Sequence, residues 1–193
     1  LPLPAVGKQA APSKDAVRLG VVGAGLFGKA MLLPTLETLS NVQLHTLVTE
    51  SGANVEHSGR KFGFRYQSTD VAEVWTNTEI QAVVGLTPHS QHASLVRAAL
   101  QHKKPLFMEK PLCTTEDELS ELRALAQKQA SLPVLLIGHN RRFSPHTGRM
   151  LEWLGSRRTP LVAQLRVNAG FVPITHWVHS ENEGRSRIVG EMS

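Results

Sequence analysis

One cysteine, Cys113, stands in the whole chain, so no disulfide can form within it and a reducing cytoplasm is the expected home. A thiol catalyst is not expected, because no histidine signature accompanies that residue. Long apolar runs are also missing. Stretches such as Ala82 to Leu86 and Val134 to Ile137 fall far short of the roughly 20 residues that cross a bilayer, so no membrane partner is expected. The start, Leu1-Pro2-Leu3-Pro4-Ala5-Val6-Gly7, has neither a basic stretch nor an apolar one and does not read as a secretory signal. It lacks an initiator Met, which suggests excision from a longer chain or processing, with residues 1 to 16 as a linker or arm. Aromatic residues are only 5%, and no nucleic-acid-binding module is recognisable, so nucleic acid is not an expected partner. That holds despite a net charge of +5, concentrated where eight arginines face four glutamates from Arg141 onward. A phosphate-bearing cofactor or substrate, or plain solvated surface, accounts for those arginines.

What is present is the composition of a folded globular protein, 41% hydrophobic and 19% charged. The 193 residues suffice for one sizeable core with the beginning of a second. Val17 to Val22 is a β-rich run entering a glycine cluster, and Val42 to Val48 repeats the strand signature one helix later. Further apolar runs follow at Ala82 to Leu86, Leu106 to Met108 and Val134 to Ile137. Between them, Ser90 to Gln101 and Thr115 to Ala130 carry apolar positions on one helical face. Thr115 and Glu118 have capping-box spacing, which sets the start of the second of these helices. Continuous apolar strands joined by helices imply an α/β fold, a doubly wound parallel sheet of Rossmann type over residues 17 to 140, with ligands at the strands' C-terminal ends. From 141 to 193 the pattern changes to a helix over Pro145 to Leu154 and an alternating strand over Leu161 to Val167. These read as the incomplete start of an α+β substrate or oligomerisation domain, with exposed apolar edges from Leu161 onward.

Gly23-Ala24-Gly25-Leu26-Phe27-Gly28 fits G-x-G-x-x-G directly after a strand and opening a helix. Gly23 permits the tight turn, Gly25 lets the backbone approach a pyrophosphate, and Gly28 allows close packing of helix on strand. The free N–H groups and positive dipole of the helix start suit phosphate. Pro34, inside that helix, is expected to kink it or leave a carbonyl unpaired. At the end of the second strand, Thr49 occupies the place where an acidic residue would bind the adenosine ribose, and Glu50 and Ser51 follow. Thr49 and Ser51 hydroxyls could receive a 2′-phosphate, whereas an inward Glu50 would exclude one, so NAD and NADP both stay open. His89 with His92, and His176 with His179, have helical spacing, but no carboxylate or thiolate completes a ligand set, so no metal is expected.

Thr87-Pro88-His89 closes the strand at Ala82, His92 follows in the next helix, and Glu109-Lys110-Pro111 closes the strand after that. With Gly138-His139-Asn140-Arg141-Arg142-Phe143-Ser144-Pro145, Val167-Asn168-Ala169-Gly170 and the glycine turn, these residues resemble the glucose-fructose oxidoreductase and inositol 2-dehydrogenase family, written Gfo/Idh/MocA, over residues 17 to 193. The chain is most similar to the subgroup that follows an alcohol-dehydrogenase-like half in two-part oxidoreductases. The resemblance implies NAD or NADP as cofactor, held by Gly23, Gly25, Leu26, Phe27, Gly28, Thr49, Glu50, Thr87, Pro88, His92, Glu109 and Lys110. It places Lys110 beside the nicotinamide and the reacting hydroxyl, as the catalytic residue. Arg142 is implied to face a sugar-like or polyol substrate, with Lys110 also contacting it, and the full-length protein is implied to be a homo-oligomer. A strand-end ammonium is chemically suited to this role, since it hydrogen-bonds the substrate oxygen and stabilises negative charge as the hydride leaves carbon.

In relatives, a segment like Arg187-Ile188-Val189-Gly190-Glu191 leads into a helix bearing the histidine that takes the substrate's hydroxyl proton. Here an aspartate of many relatives is replaced by Gly190, and that histidine is expected just past Ser193. This fragment is therefore expected to bind cofactor without turnover. Two alternatives stay open. One is a dinucleotide-binding regulatory or scaffolding module without chemistry. The other is a different reductase on the same core, against which Glu109-Lys110-Pro111 argues.

Overall fold

The computed structural model describes residues 3–4, 13–164, 166, 168, 170–176, 179 and 180. Its centre is a seven-stranded sheet in the order β1-β4-β3-β2-β5-β6-β7. These are β1 (Leu3–Pro4), β2 (Val17–Val22), β3 (Val42–Val48), β4 (Tyr66–Ser68), β5 (Ala82–Gly85), β6 (Leu106–Glu109) and β7 (Leu135–Gly138). Strands β2 to β7 are mutually parallel, and the order reverses direction between β2 and β5. This is the doubly wound Rossmann arrangement expected from the alternation of strands and helices. Part of the expected arm joins the sheet, because Leu3 and Pro4 pair antiparallel with Gln67 and Tyr66. The edge strand β4 offers backbone groups that a passing chain can pair with.

Among the described residues six α-helices accompany the sheet: α1 (Leu33–Glu37), α2 (Gly52–Lys61), α3 (Ala72–Thr76), α4 (His92–His102), α5 (Glu116–Gln127) and α6 (Pro145–Leu154). Side chains of a strand alternate between faces, and the core divides accordingly. Val22, Val48, Val83 and Met108 join Ala93, Val96, Leu100 and Leu122 of α4 and α5 on one face. Val21, Leu47 and Val84 join Leu33, Val55 and Phe64 on the other. On this second face the sheet leaves an open apolar groove of about 320 Å³ between α1 and β7, lined by Leu36, Phe107 and Leu136 among others.

Local chemistry sets the helix starts. Thr115 accepts from the Glu118 N–H while the Glu118 carboxylate accepts from the Thr115 N–H, the reciprocal cap read from the sequence. Ser51 and Ser144 cap α2 and α6 through the N–H groups of Asn54 and Thr147. Between α4 and α5, Arg97 donates to both carboxylate oxygens of Glu121 at 2.7 Å. Pro34 acts through a wider turn. A π-helical segment over Gly28–Leu32 runs directly into α1, with the Leu33 N–H bonded to the Gly28 carbonyl. Thr35 donates its hydroxyl to the Met31 carbonyl at 2.8 Å. The wider turn thus falls directly ahead of the proline, whose ring and missing N–H a regular α-helix does not accommodate.

Three elements depart from the sequence reading. The three-residue β4 and the five-residue α3 are too short to leave a periodic signal. The strand expected over Leu161 to Val167 is absent where described: residues 161–164 have no regular structure, and Val162 is 97% exposed. Alternation alone does not make a strand, since its backbone groups need a paired neighbour. The expected exposure of apolar residues there is observed at Leu161, Val162, Phe171 and Ile174. Val167, Ala169 and Arg187 to Glu191 lie outside the described residues.

Candidate cofactor site

Parallel pairing brings the strand ends into line. Val22 is level with Val48 on one side and Gly85 on the other, Gly85 with Met108, and Glu109 with Gly138. The loops starting at Gly23, Thr49, Leu86, Lys110 and His139 therefore leave the sheet along one edge. The candidate residues from Gly23 to Arg142 lie on these loops or the first turns that follow them, except Glu109, which is the last residue of β6.

The glycine turn is built from three distinct constraints. Gly23 has φ +91°, and a Cβ there would sit 2.5 Å from the Leu86 carbonyl oxygen, so the loop is pressed against the end of β5. Its N–H donates to the Val48 carbonyl at 2.8 Å, tying it to β3 as well. Gly28 meets Leu86 from the helix side, where an added Cβ would lie 3.0 Å from Cδ1. Gly25 is different: the nearest atom to its absent Cβ is the Leu86 carbonyl oxygen at 3.9 Å. The space above this backbone is kept clear by the lack of a side chain and not by protein packing. The Gly25 carbonyl accepts the first helical bond, from the Lys29 N–H, which leaves the preceding N–H groups of Leu26, Phe27 and Gly28 without intrahelical acceptors. Leu26 and Phe27 turn their side chains outward, 86% and 46% exposed, so their contribution to a ligand is through the backbone. Bare backbone, unmatched N–H groups and a helix start fit a pyrophosphate.

Beyond β3, Thr49 is buried and its hydroxyl donates to the Ser51 carbonyl at 2.9 Å. The exposed Glu50 accepts from the Gln91 side-chain amide at 2.5 Å. Gln91 follows β5 and Glu50 follows β3, on either side of β2, so this bond spans the end of the strand that carries the glycine turn. Lys29 reaches the Asn54 side-chain oxygen at the start of α2, also at 2.5 Å.

On the other side, the Thr87 hydroxyl oxygen is buried with no hydrogen-bond partner among the described residues. The exposed Pro88 opens a short 3₁₀ turn over His89–Gln91. His92 is 0% exposed, and its ring nitrogens meet the Pro111 and Thr87 carbonyl oxygens at 2.6 and 3.0 Å. The structure thus places His92 behind the loops, where its polar atoms serve the main chain and have none left for a cofactor. Glu109 accepts from the Asn140 side-chain amide at 2.8 Å, joining the ends of β6 and β7. Lys110 is the next residue, half-buried. Arg142 lies in a 3₁₀ turn over Asn140–Phe143, its guanidinium 5.2 Å from the Phe143 ring centre. Cys113 is half-buried, and burial pushes its thiol pKa up, away from the range of a reactive thiolate. Among the described residues no group of three His, Cys, Asp or Glu could hold a metal ion, and no helix is long and apolar enough to cross a membrane. Gln91 and Asn140 escaped the sequence reading as site-building residues. Asn140 sits inside a motif that was read, whereas Gln91 carries no local signal.

A doubly wound parallel sheet with this glycine turn at its switch point defines a dinucleotide-binding domain. Residues 17–138 match the family described as "Oxidoreductase family, NAD-binding Rossmann fold", and the chain belongs to that family, Gfo/Idh/MocA. It is 29% identical over 129 residues to a scyllo-inositol 2-dehydrogenase (NADP(+)) of Bacillus subtilis, covering 67% of this chain and 35% of the relative. It is 30% identical to inositol 2-dehydrogenase 2 of Mycolicibacterium vanbaalenii, covering 76% and 43%. The crystal structure of apo scyllo-inositol dehydrogenase from Lactobacillus casei has the same fold, with a TM-score of 0.64 at 21% identity, covering 74% of this chain and 41% of that one. The chain thus spans less than half the length of these relatives.

Proposed function

We propose that this chain is the cofactor-binding part of an NAD- or NADP-dependent dehydrogenase acting on a sugar-like or cyclitol-like secondary alcohol. The observation that carries the reading is the open cradle at Gly25, set between a Gly23 locked to two strand ends and a helix start with unmatched N–H groups. Two linked phosphates would occupy that cradle and accept from the N–H groups of Leu26, Phe27 and Gly28. When bound, the dinucleotide supplies the hydride acceptor or donor. Lys110, next to a Glu109 that Asn140 holds, would donate a hydrogen bond to the substrate oxygen and stabilise its negative charge. The Thr87 hydroxyl, without a partner among the described residues, would find its acceptor on the cofactor. Arg142, followed by α6, would face the substrate in a second domain that begins near residue 141, and the whole enzyme would be a cytoplasmic homo-oligomer. The inositol dehydrogenases among its relatives support the cyclitol substrate class.

Calorimetric titration with NAD, NADH, NADP and NADPH tests the reading. Saturable heat from at least one of the four is expected, and silence from all four would overturn it.

A further inference from the structure

The His92 ring lies between two loops that the sheet itself does not hold together. The β5–β6 ladder runs from Val83 opposite Leu106 to Gly85 opposite Met108 and stops there. Beyond it, one chain continues through Thr87 and the other through Lys110 and Pro111. The His92 imidazole, the first side chain of α4, lies between them with Nδ1 2.6 Å from the Pro111 carbonyl oxygen and Nε2 3.0 Å from that of Thr87. Both partners are acceptors, so whichever ring nitrogen carries the proton donates to one of the two loops. The ring is wholly buried and touches the edge of His89, with ring centres 5.4 Å apart. Its position is therefore fixed by packing as well as by polar contacts.

We propose that His92 is a positioning residue that sets the spacing between the Thr87 loop and the Lys110-Pro111 loop, so that both address one bound dinucleotide. This rests on the reading of the site as a dinucleotide cleft. In that reading the phosphates lie on the glycine turn at the end of β2, and the nicotinamide half lies over the ends of β5 and β6. The Thr87 hydroxyl and the Lys110 ammonium would then meet the nicotinamide half with the separation that the imidazole dictates. The glycine turn itself is held by Val48 and Leu86.

The geometry suggests three substitutions with separable effects. H92N keeps a donor near the Nδ1 position, facing Pro111, and H92Q keeps one near the Nε2 position, facing Thr87. H92L keeps neither. Affinities of each variant for NADH and for ADP, which lacks the nicotinamide half, are measured by calorimetry alongside thermal unfolding. H92L is expected to weaken NADH by about tenfold or more, the size expected when a buried carbonyl loses its donor, while ADP stays within about threefold of wild type. At least one of H92N and H92Q should restore NADH binding to within about threefold. Equal losses of NADH and ADP in the variants, following their loss of stability, would reduce His92 to a core residue and overturn the proposal. So would wild-type NADH affinity in H92L, or, should H92L not fold, about tenfold losses of NADH in both H92N and H92Q. A wild-type protein that binds neither ligand would bring down the dinucleotide reading itself, and the positioning role with it.

Discussion

Gly23, Gly25 and Gly28 are one residue type under three different constraints, and substitution separates them. Gly25 has open space where its side chain would be. The Gly25→Val protein should therefore fold with an unfolding midpoint near that of wild type, yet its isopropyl group would take the phosphates' place. Calorimetry should show dinucleotide affinity lost, and wild-type affinity would show that the turn is not the site. Gly23→Ala is the converse. Its positive φ and the Leu86 carbonyl oxygen 2.5 Å away make a side chain costly to the fold, by about 1–3 kcal/mol from backbone conformation alone. Urea unfolding should register that loss whether or not ligand is present. The turn and its constraints were legible in the sequence because the spacing of the glycines and the strand before them are local facts. The orientation of Glu50 was not legible, since its partner Gln91 lies 41 residues away.

At the scale of elements, the starts of helices were the most readable features and short edge elements the least. Thr115 and Glu118 make the reciprocal cap of α5, and α6 occupies the expected Pro145–Leu154 span behind its Ser144 cap. Both rest on chemistry within four residues. Thr115→Ala should destabilise the protein by about 1 kcal/mol, lowering the thermal midpoint by roughly 2–4 °C for a chain of this size. An unchanged midpoint would mean that the cap adds nothing to α5 in this context. By contrast, β4 contributes three residues and owes its existence to the neighbouring β3, level at Thr46, Leu47 and Val48. The alternating residues from Leu161 to Gln164 have no such neighbour among the described residues and stay irregular, which shows that pairing outweighs pattern. Pro34 is a third case. Its disruption was readable, but the π-helical form over Gly28–Leu32 was not, since nothing in the local residue pattern names it.

For the molecule as a whole, binding and acidity are the two levers. If the cleft takes a dinucleotide, ligand at about a hundred times its dissociation constant adds about 2.7 kcal/mol to the unfolding free energy. Thermal scans should show that gain in wild type and its absence in Gly25→Val. Acid sensitivity should arise at His45, which is wholly buried on β3. Burial lowers its pKa below 6.5, outweighing the opposing pull of Glu79 at 3.4 Å, while Arg65 and Arg18 lower it further. Tyr66 faces the ring at 4.9 Å and Thr46 bonds its Nδ1. A proton therefore binds the unfolded chain more readily than the folded one. The stability conferred by neutral His45 is complete above pH 6.5 and declines as pH falls from there through the lower folded-state pKa. Urea unfolding from pH 7.5 to pH 5 should be steeper in its pH dependence for wild type than for His45→Gln. Parallel curves would remove His45 as the source.

The amino-acid sequence by itself determined the alternation of strands and helices, the glycine turn at its first crossover and the cap of α5, because each depends on residues within a few positions of one another. Tertiary structure decided which strand ends became neighbours. Through them it decided that Glu50 meets Gln91, that Asn140 holds Glu109, and that the His92 imidazole lies between Thr87 and Pro111. Those contacts join loops from separate crossovers, and loops are brought together by the order and register of a parallel sheet, which no local stretch of sequence encodes.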